Sequence, residues 1–91
     1  MDKKRTAKIE KIAERFGVTN IRIFGSYATG TAKPDSDLDL LITLEPGHDL
    51  IDLIGFKQDV EEILGIKVDV VTEGALISYF RDQVLREAVA I

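Results

Sequence analysis

Two short stretches decide how this chain is read: Ile21-Arg22-Ile23-Phe24-Gly25-Ser26-Tyr27-Ala28-Thr29-Gly30 (21–30) and, after a polar gap, Ser36-Asp37-Leu38-Asp39-Leu40-Leu41-Ile42-Thr43-Leu44 (36–44). Ile21 to Phe24 reads apolar, basic, apolar, apolar, a short strand that runs straight into Gly25-Ser26 and the small, polar residues Tyr27 to Ser36. Leu38 to Leu44 is a second strand. Its two-residue period sends Leu38, Leu40, Ile42 and Leu44 to one face and Asp37, Asp39 and Leu41 to the other. Two carboxylates therefore leave the same face of one strand, with Cα atoms roughly 6.5 Å apart at the usual rise per residue.

Working outward, Ile9, Ile12, Ala13 and Phe16 recur at helical spacing and predict an amphipathic helix from about Asp2 to Phe16, stopped by Gly17. Its other face carries a basic stripe of Lys4, Lys8, Lys11 and Arg15, read first as a solvated surface. Glu45-Pro46-Gly47 ends the second strand with a turn. Asp49 then caps a helix whose predicted core face is Leu50, Leu53, Ile54, Val60, Ile63 and Leu64, closed by Gly65. Ile66 to Val71 is a third strand with Ile66, Val68 and Val70 on one face and Lys67, Asp69 and Val71 on the other. A last helix is predicted from Ala75 to about Val89, with Ile77, Phe80, Val84, Leu85 and Ala88 inward. The order is α-β-β-α-β-α, and the helical crossover between the second and third strands favours placing them parallel. This predicts an α/β (α+β) fold: one domain over residues 1–91 with a small mixed sheet of about three strands.

Ninety-one residues with 45% hydrophobic and 31% charged side chains have the make-up of a folded globule. The longest apolar run, Ala88 to Ile91, is too short to span a bilayer, and the charged start Met1-Asp2-Lys3-Lys4-Arg5 is unlike a secretory signal. With no Cys, neither a disulfide nor a thiolate metal site is available, which suits a cytoplasmic location. The formal net charge of -4 disfavours a surface built to grip nucleic acid. Its distribution says more than its sum. Residues 1–15 carry six basic and three acidic side chains, whereas residues 33–62 carry nine Asp or Glu against Lys33 and Lys57.

Position separates chemistry from solvated surface among these carboxylates. Asp69 occupies the polar face of the third strand, so if that strand lies beside the second, Asp37, Asp39 and Asp69 converge. Three unpaired carboxylates at close range repel, and a divalent cation between them relieves that repulsion. Mg²⁺ held by carboxylates characteristically takes its remaining ligands from water and substrate phosphates. Gly25 and Ser26 supply the complement. Gly25 allows a sharp turn and close approach to a ligand, Ser26 offers a hydroxyl, and amides opening a helical turn there would favour phosphate. The loop is not a Walker A motif: it has glycines at 25 and 30 but continues Thr31-Ala32 without the required Lys. Taken alone, each piece has a structural reading as turn, cap or solvent face; together, in this order, they point to metal-dependent phosphate chemistry.

The residues Ile23-Phe24-Gly25-Ser26-Tyr27-Ala28-Thr29-Gly30 and Ser36-Asp37-Leu38-Asp39-Leu40, with Val68-Asp69-Val70-Val71 as the third element, resemble the signature of the DNA polymerase beta-type nucleotidyltransferase superfamily. The likeness covers nearly the whole chain and is closest to the minimal nucleotidyltransferase branch. In one respect the loop departs from the pattern: many relatives carry Arg at the position of Thr29, and often a basic residue at that of Tyr27. The resemblance implies a polymerase beta-like nucleotidyltransferase fold with helices mainly on one sheet face. It implies catalytic and metal-binding roles for Asp37, Asp39 and Asp69, nucleotide-phosphate positioning by Gly25 and Ser26, two Mg²⁺ ions, and ATP as substrate.

Larger members of the superfamily add domains that bind the acceptor, so a chain of this size implies an acceptor brought by another protein. Minimal nucleotidyltransferases are commonly paired with a small helical HEPN-type toxin, to which they transfer AMP as antitoxin, and the resemblance implies the same partner here, with homo- or hetero-oligomers possible. A partner-binding module without chemistry is the alternative reading, and transfer to a small molecule or nucleic acid without a partner is a third. Among other residues, Arg22 and Lys67 lie on polar strand faces within reach of a phosphate, Tyr27 is placed to stack on a base, and His48 is read as a surface or capping residue. Arg81, Arg86, Leu76, Tyr79 and Ile91 are candidates for a partner-facing surface.

Overall fold

The computed structural model describes residues 3–75 and 78–91, with the backbone alone for residues 78–81. Helix α1 (Lys3–Phe16) turns Ile9, Ile12 and Ala13 inward, and Gly17 ends it at φ 66°. Strand β1 (Val18–Phe24) leads through Gly25 into one helical turn, α2 (Ser26–Thr29), closed by Gly30. Strand β2 (Leu38–Leu44) follows, then α3 (Leu50–Leu64), β3 (Val68–Thr72), a 3-10 turn (Glu73–Ala75), α4 (Ser78–Glu87) and β4 (Val89–Ala90). The expected capping of α3 is present in reciprocal form. The Asp49 carboxylate accepts from the Ile51 amide at 3.0 Å, and the Asp52 carboxylate accepts from the Asp49 amide at 3.1 Å.

The strands form one mixed sheet in the order β3-β2-β1-β4. β2 and β3 run parallel, as the helical crossover requires, and β1 is antiparallel to both β2 and β4. Helices α1 and α3 pack together over one face, where Ile9, Ile12, Ala13, Phe56 and Val60 meet Ile21, Ile23, Leu38, Leu40, Ile42 and Val68. This apolar layer is what holds α1 and α3 to the sheet, each fully buried large side chain contributing about 1.5–3 kcal/mol.

The structure corrects the reading in four places. The sheet has four strands, because Val89 and Ala90 pair with Arg22 and Ile23 instead of finishing the last helix. The open edge of β1 is a tertiary opportunity that a helical count through Ala88 does not register. β1 begins at Val18, three residues earlier than expected. Asn20, at φ 52°, inserts a bulge between Thr19 and Arg22, so the buried residues Val18 and Ile21 are three apart and the simple alternation is hidden. In α3 the inward stripe is Leu53, Phe56, Val60 and Leu64, whereas Leu50, Ile54 and Ile63 are largely exposed. Apolar residues occupy most of that helix's circumference, so only packing selects the buried side.

Finally, Leu41 is on the polar face as expected but is fully buried, outside the main apolar cluster. Of the residues expected inward on the last helix, Val84, Leu85 and Ala88 are half-buried. Ile77 and the side chain of Phe80, like Leu76 and the side chains of Tyr79 and Arg81, lie outside what is described.

Candidate active site

The parallel register of β2 and β3 places Asp39 opposite Asp69, and the antiparallel register of β1 places Phe24 opposite Asp39 on its other side. Asp37 lies one residue before β2, on the same face by alternation, beyond the Lys33–Ser36 turn. In that turn the Lys33 amide donates to Ser36 Oγ at 2.8 Å and the Ser36 amide donates to the Lys33 carbonyl at 3.0 Å. The Leu38 amide donates to the Lys67 carbonyl at 2.9 Å, tying the starts of β2 and β3 together just where the carboxylates emerge. A cleft of about 260 Å³ opens beside Asp37, between residues 34–37 and Gly65-Ile66-Lys67.

Asp39 is half-buried and its neighbours are acidic. Its carboxyl is held above the ordinary range, first by burial and then by the charges of Asp69 and Asp37, with a hydrogen bond to Asp69 adding to the rise. None of the three carboxylates forms an ion pair with a described residue. Gly25 closes the other side. It stands at φ 70°, ψ -148°, a conformation essentially confined to glycine, and a Cβ there would run into Asp39 Oδ2. The backbone at the end of β1 therefore packs directly against the Asp39 carboxylate.

Beyond Gly25 the amides of Ala28 and Thr29 both return to the Gly25 carbonyl at 3.1 Å, which leaves those of Ser26 and Tyr27 as the turn's leading donors. The Thr29 hydroxyl is engaged within the loop, 3.3 Å from the Gly25 carbonyl and 3.0 Å from the Thr31 hydroxyl. Gly25 thus adjoins Asp39, Ser26 follows it as the first residue of α2, and Asp37, Asp39 and Asp69 share one face.

Among the described residues, no three His, Cys, Asp or Glu side chains close into a cage around one point. The carboxylates form an open row. Its donor set nonetheless fits Mg²⁺: hard oxygen ligands, mutually repelling, with Asp39 resisting ionisation in the absence of an added positive charge. Such an open row leaves further ligands to water or phosphate.

Other expectations meet different fates. Arg22 is ion-paired with Glu73, Nη2 to Oε2 3.3 Å, on the carboxylate face. Nothing in the strand pattern singles out Glu73 as a partner of Arg22, although it continues the 69, 71, 73 alternation of β3 past the strand's end. Lys67 is exposed and lines the cleft beside Asp37. Tyr27 packs partly against the apolar core. His48 lies beyond the far end of β2 from Asp39. Its ring packs on Gly17, and its Nδ1 is 3.1 Å from the Asp52 carboxylate.

Known proteins resemble this chain in sequence and in fold. The family profile described as nucleotidyltransferase domain matches residues 6–91. The protein adenylyltransferase MntA of Thermococcus cleftensis is 42% identical over 86 residues, covering 94% of this chain and 87% of that protein. A solved structure of a candidate minimal nucleotidyltransferase superposes with a TM-score of 0.85 at 43% identity, covering 97% of this chain and 89% of the other. The complex of a tri-AMPylated Shewanella oneidensis HEPN toxin with MNT antitoxin contains a chain of the same fold, with a TM-score of 0.73 at 22% identity over 99% of this chain and 71% of that one.

Proposed function

Since the chain belongs to the nucleotidyltransferase domain family and is a nucleotidyltransferase, we propose that it transfers AMP from ATP to a hydroxyl of a separate protein, a helical HEPN-type toxin, and so acts as that toxin's antitoxin. The observation that carries this reading is Asp39, opposed by Asp69 in register and backed by the Gly25 backbone. The nearest support for a protein acceptor is the 42% identity to a protein adenylyltransferase; the fold shared with an MNT antitoxin is in keeping with the toxin partner.

In this mechanism Asp37, Asp39 and Asp69 would hold two Mg²⁺ ions. When bound, Mg²⁺ supplies charge neutralisation on the triphosphate and a lower pKa for the attacking hydroxyl. The Ser26 and Tyr27 amides and the Ser26 hydroxyl bind the terminal phosphates, which Gly25 lets approach the sheet closely. Asp69 accepts the proton of the acceptor hydroxyl, whose oxygen forms the new bond to the α-phosphorus as the bond to the β-phosphate breaks and pyrophosphate leaves in line. The surroundings of Asp39 suit a bound cation, because burial and the charges of Asp69 and Asp37 hold its carboxyl above the ordinary range, and an added positive charge relieves that repulsion. No described helix is long and apolar enough to cross a membrane; use of ATP puts the reaction in the cytoplasm, and the 91 residues act as one domain.

A second reading, a partner-binding module without chemistry, is favoured by Thr29, whose hydroxyl is spent inside the loop. One experiment separates the two: α-labelled ATP and Mg²⁺ with the protein and a co-expressed neighbouring HEPN protein, beside Asp39→Asn. A labelled partner band that disappears in the variant supports transfer; no band, with binding of the partner intact in both forms, selects the binding module.

A further inference from the structure

Arg22 is the one basic residue in the four described strands, and it stands on the sheet face that carries the carboxylates. It pairs in register with Leu41, whose other partner is Val71, while the adjacent row is Phe24, Asp39 and Asp69. A guanidinium on a flexible stem one row away, about 6.5 Å along the strands, is within reach of both carboxylates. Its actual position is different. Arg22 Nη2 contacts Glu73 Oε2 at 3.3 Å and Nε donates to the Asn20 carbonyl at 3.3 Å. The pair crosses β2 over the fully buried Leu41, and the Arg22 side chain is only 15% exposed. Glu73, just beyond β3, thus draws the sole strand cation toward the end of the sheet away from Asp39.

We infer that Glu73 is a positioning residue that holds Arg22 off Asp39 and Asp69 and so keeps the carboxylate row open to a divalent cation. This rests on the nucleotidyltransferase reading of that row. An arginine free to pair with Asp39 would satisfy the same negative charge that the cation needs, and would do so from within the same chain, at high effective concentration. Half-buried as it is, the Arg22–Glu73 pair is screened less than a surface pair, so its geometry persists at physiological salt.

The test is Mn²⁺ titration of the full chain followed by electron paramagnetic resonance, with no nucleotide or partner present. Glu73→Gln is expected to weaken Mn²⁺ binding about tenfold, the effect of one nearby opposite charge on a carboxylate. Arg22→Gln is expected to bind at least as tightly as wild type, and Arg22→Gln with Glu73→Gln to recover wild-type affinity. A merely structural pair would give the opposite pattern, with both single variants equally weak and the double no better. That pattern, unchanged binding in Glu73→Gln, or no Mn²⁺ bound by wild type overturns the inference. Label transfer to a partner is measured separately: the predicted metal pattern without transfer would sink the nucleotidyltransfer reading and leave the role of Glu73 standing.

Discussion

Asp39 and Asp69 stand directly opposite one another on β2 and β3, two carboxylates in adjacent parallel strands with the Gly25 backbone packed against the first. Strand pairing brings them together regardless of their repulsion, because the apolar residues on the other face, Leu38, Leu40 and Val68, are fully or almost fully buried and fix the register. The site is thus held in an electrostatically unfavourable state by core packing on the reverse of the same strands.

Asp39→Asn is expected to abolish label transfer, by 10²-fold or more, as about the effect of removing a central charged group from such a site. The same variant should be more stable than wild type at neutral pH. Because the folded-state pKa of Asp39 lies above its unfolded value of about 3.9, the native state binds the extra proton and its stability falls as pH rises through that window. Melting curves from pH 4 to 7 should show the advantage of Asp39→Asn growing with pH. Added Mg²⁺ should raise the melting temperature of wild type and not of the variant.

Gly25→Ala tests the backbone contact. The φ of 70° with ψ of -148° costs a side-chain-bearing residue about 1–3 kcal/mol, and the new Cβ meets Asp39 Oδ2. Lower stability and loss of transfer are expected together; wild-type behaviour in both chemical denaturation and label transfer would contradict the contact.

Leu41→Ala should behave as a core deletion, costing about 2–5 kcal/mol, although Leu41 shares its face with the aspartates. Urea denaturation beside Leu40→Ala decides the point: a cost under a third of that for Leu40→Ala would show that this face is solvated at Leu41.

Glu61 joins α3 to β3. Its carboxylate accepts from the Val68 amide at 3.0 Å and from Lys57 Nζ at 3.1 Å, and the Val68 bond first, then Lys57, holds its pKa below the ordinary glutamate value. A depressed folded-state pKa gives stability that is present above the unfolded pKa and is lost as pH falls through the folded one. Glu61→Gln should therefore be less stable than wild type at pH 7, and the difference should vanish in acid, as followed by thermal melts across pH.

Much of the site was readable as sequence because its logic is local. Alternation in Asp37-Leu38-Asp39-Leu40 fixes which side chains share a face, and Gly25 after a strand marks a backbone that must turn sharply. The Arg22–Glu73 pair was not readable. Its members are 51 positions apart and meet only because β1 and β3 flank β2.

By itself the sequence determined the faces: periods of two and of three to four, carried by neighbouring residues, set the carboxylate side of β2 and β3, the buried stripe of α1 and the parallel crossover. Only the tertiary structure decided the pairings. Register, the bulge at Asn20, the fourth strand, the burial of Leu41 and the side of α3 that turns inward all depend on which surfaces meet. Contact between distant segments is selected by the packing of the whole apolar layer, and no short window of residues encodes it.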